Sequence, residues 1–579
     1  MSDESNGAVS GPLGEKLIEV VAKFRPRLPG RESLGRLRLT GPVGIGLTQP
    51  WQVLAVAALG GLAGTYIVAL LSTPVEDMTQ TGEIVWNGLL FVLALLAFRQ
   101  LQIMAMRSTS SSVEAALSRM RIRLADHVSR LDLNGFEGLS RAQLQGGLAH
   151  HFTAISDATL SILIGVQSAV LLTLTLGYLA TISILALGMS AVVFVVAVQA
   201  YLSRQAELSA RMREMAASET GLAASIAELL DGFKELRLDA AKRAAVMSDI
   251  QNQSDRSASE QAKTANIFAG LMVFSNSMAY MLGGSVVFLL PLFSETPPED
   301  LARLVAVVLF LIGPLGSVVS ASKQVASARF SINALARFEA EVEGLLTTEA
   351  APGQPEAPPF HTLVARGVCY THRPRGADEA AYQIGPIDFS LKAGEVVFIT
   401  GGNGSGKTTL MRVLCGLYPP SDGSLVLNGD KLAFGGAEAE AYRQLFATIF
   451  AEAHVFRKPY ALPEEKLATL RMRLEDLGIG DKLPQDLAAE LAPDKLSTGQ
   501  RKRLALALAL TEDRPVLFLD EWAADQDPSS RERFYRERLP AMKAAGKAVL
   551  AITHDDRYFD VADRRYHMEE GRLTLVEAK

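Results

Sequence analysis

Cysteine is scarce in this sequence of 579 residues, in which Cys369 and Cys415 are the only two. A disulfide framework needs several cysteines, and a structural zinc site needs closely spaced pairs of ligands. Both classes of protein are therefore excluded. We interpret the two cysteines as small buried side chains of a protein from a reducing compartment.

Charge is also sparse. Charged residues make up 21% of the sequence, and the mean hydropathy of +0.18 is too apolar for an ordinary soluble enzyme of this length. The net charge of −6 gives no sign of the clustered basic surface that binds nucleic acid. Residues 1–12 lack the apolar core of a secretory signal. Residues 13–24 have apolar side chains at helical spacing among lysines, which favours a short helix lying on a membrane surface, with a disordered tail as the alternative.

Long apolar runs dominate the first half of the chain. Each is about 20 residues or longer, enough to cross a hydrocarbon core of roughly 30 Å as a helix. Buried helices of a large soluble core are the alternative. Six such segments precede residue 325, at approximately 51–72, 84–105, 158–180, 182–201, 264–293 and 301–322.

The distribution of Lys and Arg favours the membrane interpretation. Residues 1–50 hold seven of them, residues 99–157 seven and residues 202–263 nine, whereas the short connections 73–83 and 294–300 hold none. Positively charged segments stay on the cytoplasmic side of a membrane. The chain is therefore predicted to cross a membrane six times, with both termini and the two long connections in the cytoplasm.

The long connections are rich in strong helix formers, so they are predicted to continue the membrane helices into the cytoplasm. Each turns at a break that contains glycine, at Asp132–Gly135 and Leu230–Leu236. These turns are placed to press on a cytoplasmic domain. We predict an N-terminal tail at 1–50, a transmembrane domain at 51–343, a proline-containing linker at 344–360 and a second domain at 361–579.

The second domain has the alternating apolar and amphipathic segments of an α/β fold. An apolar run at 396–400 leads into a stretch that matches Gly-x-x-x-x-Gly-Lys-Thr and opens a helix, the pattern of a loop that binds the phosphates of a nucleotide. The glycines let backbone N–H groups turn toward phosphate oxygens. Lys407 is predicted to reach the β- and γ-phosphates, and the Thr408 hydroxyl to ligate Mg²⁺. The predicted ATP-binding residues are Gly401, Gly402, Asn403, Gly404, Ser405, Gly406, Lys407, Thr408 and Thr409.

Two further apolar runs end in polar residues. Residues 515–519 lead into Asp520 and Glu521, and residues 548–552 lead to His554. Asp520 is predicted to hold Mg²⁺, and Glu521 to polarise the water that attacks the γ-phosphate. His554 is predicted to hydrogen-bond the γ-phosphate. A solvated turn and a structural histidine are the alternatives.

Leu496-Ser497-Thr498-Gly499-Gln500 precedes a strongly helical run. With the motifs above, the second domain resembles the ATPase domain of ABC transporters, and these five residues resemble the signature of that family, with Thr498 in place of a glycine. The resemblance implies a head-to-tail dimer in which Ser497, Gly499 and Gln500 of one copy contact ATP held by the other copy. It also places Tyr370 against adenine, with core packing as the alternative.

One segment departs from the family pattern. Ala451 stands where the family has a glutamine that ligates Mg²⁺, and Glu452 is the predicted substitute. Four segments are together similar to the cyclic-peptide exporter branch, which includes exporters of pyoverdine-type siderophore precursors and of lasso-peptide microcins. They are residues 232–236, 401–407, 496–503 and 520–528.

The resemblance implies an all-α six-helix transmembrane domain followed by an α/β phosphate-loop ATPase domain. Two identical copies would export a peptide or a peptide-derived siderophore with the energy of ATP hydrolysis. An exporter of lipids or hydrophobic drugs, an importer of a peptide or metallophore, and a regulatory ATPase that transports nothing are the alternatives.

Overall fold

The computed structural model describes residues 50–72, 81–139, 148–294, 297–346, 355–372 and 382–579. The predicted surface helix at 13–24 and the middle of the predicted linker lie outside these residues. Within them, a region made only of helices precedes an α/β domain. The predicted fold class is confirmed.

The described part of the first region consists of six long helices with three short ones between them. Long helices pack side by side, because their apolar faces can be covered only by one another or by lipid. The helices are α1 (Pro50–Leu71), α2 (Thr81–Ser129), α3 (Leu133–Gly138), α4 (Leu148–Ile182), α5 (Ile184–Asp231), α6 (Phe233–Leu238), α7 (Ala240–Phe288), α8 (Leu290–Phe293) and α9 (Pro298–Leu345).

Several of these helices are long and apolar enough to cross a membrane. Among the described residues, four stretches are long and apolar enough to cross a membrane: Gly82–Ser129, His150–Ile182, Ala240–Phe288 and Pro298–Leu345. Ala58–Leu71 and Ile184–Ala197 are shorter apolar helical stretches. The six predicted segments therefore lie almost entirely within helices, and the described parts of two of them, in α1 and α5, are apolar as well.

The long connections continue their helices, as predicted. Helices α2 and α5 run for 49 and 48 residues, or roughly 70 Å at 1.5 Å per residue. The Asp132 carboxylate accepts the Gly135 N–H at the start of α3, which follows α2, and Asp239 accepts two N–H groups at the start of α7, which follows α6.

The second domain contains two sheets. The helices between the strands include α10 (Lys407–Leu414), α11 (Gly436–Arg443), α12 (Leu467–Asp476), α13 (Thr498–Glu512), α14 (Pro528–Arg533) and α15 (Leu539–Ala544). The strands are β1 (Thr362–Thr371), β2 (Gln383–Lys392), β3 (Val396–Thr400), β4 (Asp422–Leu427), β5 (Asp430–Lys431), β6 (Phe446–Ile449), β7 (Val516–Asp520), β8 (Ala548–Ile552), β9 (Arg564–Glu569) and β10 (Arg572–Ala578).

The order of strands in the larger sheet decides where the site lies. Its order is β10-β9-β3-β8-β7-β6, with parallel pairing from β9 to β6, and the smaller sheet is antiparallel in the order β2-β1-β4-β5. Every residue of β3, β7 and β8 is buried, as expected for parallel strands covered on both faces. Because these three strands are neighbours, their carboxyl ends meet at one edge of the sheet.

Candidate active site

The phosphate loop connects β3 to α10 at this edge. Gly401 has a φ of 143°, and a Cβ there would lie 2.1 Å from the carbonyl oxygen of Met568, so only glycine fits. Gly406 precedes α10, whose N-terminal N–H groups face the loop and favour an anion. The Ser405 hydroxyl oxygen is buried and has no hydrogen-bond partner among the described residues, which fits a contact to phosphate.

Lys407 lies inside the loop. It is 6% exposed, and its ammonium donates hydrogen bonds of 2.9 and 2.8 Å to the carbonyl oxygens of Gly401 and Gly402. A buried ammonium needs such acceptors. A phosphate oxygen entering the loop would compete with these carbonyl oxygens for the N–H groups of the ammonium. Lys407 thus provides a positive charge where a triphosphate would sit.

The predicted magnesium residues lie next to each other. The Thr408 hydroxyl donates a 2.8 Å hydrogen bond to the carboxylate of Asp520, the last residue of β7. Asp520 is 2% exposed; burial raises its pKa, with the Glu521 and Glu452 carboxylates adding to the shift and the Thr408 hydrogen bond opposing it. A hydroxyl beside a carboxylate is the oxygen pair that Mg²⁺ prefers, so these residues fit the ion.

Glu521 and His554 follow β7 and β8 and also come together. His554 Nε2 lies 3.4 Å from a carboxylate oxygen of Glu521. Glu521 has the left-handed conformation with a φ of 48°, which is unfavourable for a residue with a side chain. The residues before it are in a buried strand, so this local turn is what directs the carboxylate into the cavity.

A cavity of about 440 Å³ lies over the loop. It is open to solvent on one side and holds residues from three parts of the domain. It is lined by Tyr382, Asn403, Gly404, Gly406, Lys407, Thr408, Thr409 and Glu521. This arrangement brings the predicted phosphate-binding loop, Thr408 and the predicted base Glu521 together in one place.

Tyr370 does not reach this cavity, which corrects the expectation from sequence. Its ring is 3% exposed and stacks on Tyr418 with centroids 4.6 Å apart, and its hydroxyl donates to Asn134 of α3. The aromatic ring in the cavity belongs to Tyr382, whose hydroxyl donates a 3.0 Å hydrogen bond to the Gly404 carbonyl. Sequence reasoning missed Tyr382, although its position directly before β2 and nearer to the loop was an available signal.

Glu452 lies at the border of the site. Its side chain is 70% exposed, and its carboxylate is 3.9 Å from the Arg412 guanidinium rather than in the lining of the cavity. It is still close enough to contribute to the raised pKa of Asp520.

The predicted signature residues lie elsewhere on the domain. Ser497 caps α13: its hydroxyl accepts the Gln500 N–H, and the Gln500 side chain accepts the Ser497 N–H in return. A Cβ on Gly499 would lie 2.5 Å from the carbonyl oxygen of Asp525. Ser497 is exposed, and no residue of this segment lines the cavity.

Comparison with known proteins agrees with this geometry. Residues 384–524 match the family model described as ABC transporter. The chain is 35% identical over 360 residues to the ATP-binding protein SyrD of Pseudomonas syringae pv. syringae, a match covering 59% of this chain and 62% of SyrD. It is 34% identical over 206 residues to the ATP-dependent lipid A-core flippase of Ralstonia nicotianae, covering 33% and 34%.

A solved structure shares the fold over most of the chain. A bacterial Atm1-family ABC exporter with ATP bound superposes with a TM-score of 0.71 at 15% identity, covering 90% of this chain and 93% of that one. The curated relatives are matched over less of their length, about three fifths of SyrD and one third of the flippase.

Proposed function

We infer that this chain, an ABC transporter ATPase domain behind a helical region with the ABC exporter fold, works as a homodimeric half-transporter. The proposed cargo is a peptide or a peptide-derived siderophore, moved out of the cytoplasm across the bacterial inner membrane. One observation carries the proposal: the groups that can bind and hydrolyse ATP meet at one sheet edge, and a turn of the helical region lies against the same domain.

That turn is α3. Its Glu137 accepts a 2.8 Å hydrogen bond from the Tyr418 hydroxyl and lies 3.5 Å from the Arg412 guanidinium. Arg412 belongs to α10, the helix that begins at Lys407. A shift of the phosphate loop is therefore transmitted to the helical region through few contacts.

The second turn, α6, supports a dimer. Its side chains of Phe233 and Leu238 are 55% and 90% exposed, whereas Leu236 is buried within the chain. Exposed apolar side chains on a turn of this kind are expected to be covered by another protein surface. The signature residues on α13 also lie outside the cavity of their own copy. A second copy of the chain would supply both the cover for α6 and the signature for each ATP site.

In the proposed cycle, ATP closes two ATPase domains on each other and hydrolysis separates them. Lys407 and the loop N–H groups bind the phosphates, Glu521 takes a proton from the attacking water, and His554 orients the γ-phosphate. Thr408 and Asp520 would hold Mg²⁺, which neutralises phosphate charge. ATP thus favours one of two packings of the long helices.

The cargo class rests on the resemblance of the combined motifs to cyclic-peptide exporters. A lipid is the second candidate, because the chain is similar over 206 residues to a lipid A-core flippase. Both cargoes suit the same architecture.

The test is an ATPase measurement on the full chain reconstituted in lipid, against cyclic peptides, peptide siderophores and purified lipids. We expect stimulation by a peptide or siderophore, and ATP-dependent accumulation of that compound in inside-out vesicles. Stimulation by lipid alone would favour the second candidate, and depletion from the vesicles would indicate import. An enzyme that hydrolyses ATP as a monomer would overturn the dimer.

A further inference from the structure

Lys502 is a buried lysine on the signature helix α13. It is 2% exposed. Its ammonium donates a 2.8 Å hydrogen bond to the backbone carbonyl of Glu521 and lies 2.6 Å from the carboxylate of Asp525. A buried ammonium is retained only where it is fully paired. Both of its acceptors belong to the turn that presents Glu521 to the cavity.

That turn needs support. Glu521 is in the left-handed region, with φ 48° and ψ 38°, a conformation that persists in a non-glycine residue only when its surroundings hold it. Lys502 binds the carbonyl of this residue. In the opposite direction, the Trp522 indole N–H donates a 2.8 Å hydrogen bond to the Lys502 carbonyl. The turn and the helix are thus joined by reciprocal hydrogen bonds.

The contact continues to the start of α13. The side chain of Gln526 donates a 3.1 Å hydrogen bond to the Gly499 carbonyl, and the Gly499 backbone lies directly against that of Asp525. The first residues of α13 and the segment from Glu521 to Gln526 therefore form one packed unit. Any movement of the signature residues must carry the Glu521 turn with it.

We propose that Lys502 is a positioning residue, which holds the Glu521 carboxylate in place and ties it to the signature helix. The proposal rests on the function inferred above, in which Glu521 is the base. Without the ammonium, the carbonyl of Glu521 loses a donor and Asp525 loses its counter-ion. The carboxylate then samples positions away from the attacking water, while the phosphate loop remains as it is.

The experiment compares two lysines in the full chain reconstituted in lipid. Lys547 is the matched control, because its ammonium also binds one carboxylate, that of Asp513, and one backbone carbonyl, that of Arg514, both at 2.8 Å. It lies apart from the residues that line the cavity. Lys502→Met and Lys547→Met are assayed for kcat, for KM toward ATP and for thermal unfolding.

We expect Lys502→Met to lower kcat by about 10- to 100-fold, the usual effect of a misplaced catalytic group. KM should change by less than about threefold, since Lys502 does not line the cavity that would hold ATP in its own copy. Lys547→Met should lower the unfolding temperature by about as much as Lys502→Met does, and it should leave kcat near the wild-type value. Equal kcat in the two variants would show that Lys502 only stabilises the fold.

Two milder substitutions test the role of Lys502 if Lys502→Met does not fold. Trp522→Phe keeps the ring and removes the N–H donor, and Asp525→Asn removes a carboxylate that is 44% exposed. Each should lower kcat by about three- to tenfold with KM retained, and wild-type kcat in both overturns the proposal. Glu521→Gln is measured in parallel. If Glu521→Gln retains turnover, Glu521 is not the base and the proposed function is wrong at this residue. If Glu521→Gln loses turnover while Lys502→Met keeps the wild-type kcat, only the role of Lys502 is overturned.

Discussion

The hydroxyl of Tyr418 donates a 2.8 Å hydrogen bond to the carboxylate of Glu137, a residue 281 positions earlier in the chain. Burial and this hydrogen bond raise the pKa of Tyr418 to about 12, so the hydroxyl keeps its proton at neutral pH and acts as the donor. The same carboxylate lies 3.5 Å from Arg412. Glu137 is thus the point where the helical region meets the helix that follows the phosphate loop.

We predict that Glu137→Ala uncouples the two regions. Basal ATP hydrolysis should persist, because no atom of Glu137 lines the ATP cavity. Stimulation by cargo should fall about fivefold, which corresponds to a coupling free energy of about 1 kcal/mol. Asp126→Ala is the control: this residue of α2 pairs with Arg130 on the surface and should leave stimulation intact. Full stimulation in Glu137→Ala would rule out this contact as the route of coupling.

Two tyrosines are predicted to have separate effects. Tyr382→Ala should raise the KM for ATP about fivefold or more, because stacking of an aromatic ring on a base is worth about 1–3 kcal/mol and this ring is partly exposed. Tyr370→Phe should leave KM unchanged, since it removes only the hydroxyl bound to Asn134. Steady-state kinetics of both variants check this. An unchanged KM in Tyr382→Ala would rule out stacking of the Tyr382 ring on the base.

Glu521→Gln is predicted to retain ATP binding and to lose hydrolysis. The amide cannot accept a proton from water, and loss of a general base typically costs about 10²–10⁴-fold in rate. Phosphate release measures turnover, and equilibrium binding of ATP measures affinity. Unchanged turnover would remove Glu521 from the reaction and leave His554, 3.4 Å away, to be tested next.

Glu452 is predicted to complete the metal site when Mg²⁺ is bound. Glu452→Ala should raise the Mg²⁺ concentration for half-maximal hydrolysis by about fivefold, or about 1 kcal/mol, with KM for ATP retained. Glu452→Gln keeps an oxygen ligand without the charge. Its Mg²⁺ concentration for half-maximal hydrolysis should therefore lie between those of the wild type and Glu452→Ala. If both variants match the wild type at every Mg²⁺ concentration, the carboxylate serves only Arg412, which lies 3.9 Å away.

Local motifs account for the part of the site that sequence predicted well. The loop from Gly401 to Thr408 is continuous in the chain, and its conformation follows from its glycines and from the strand and helix beside it. Asp520, Glu521 and His554 follow buried runs, and the carboxyl ends of neighbouring parallel strands meet at one edge. Their proximity therefore followed from pattern and fold class together.

Contacts between distant segments could not be predicted in this way. Tyr370 pairs with Ile384 across β1 and β2, and whether Tyr370 or Tyr382 faces the phosphate loop depends on the register and orientation of that hairpin. The Lys502 contact has the same character: a lysine in a helical run usually faces water, and only the packing of α13 against the Glu521 turn buries it.

By itself, then, the sequence determined that this is a helical, membrane-type region joined to an ATPase domain, because hydropathy and the phosphate loop are local properties of the chain. Tertiary structure decided which tyrosine lies over the nucleotide site, that Glu137 binds Tyr418, and that Lys502 holds the turn of Glu521. The residues of each pair are far apart in the chain, or they meet only in one particular register of two strands. Such contacts depend on tertiary packing, which a local sequence pattern does not predict.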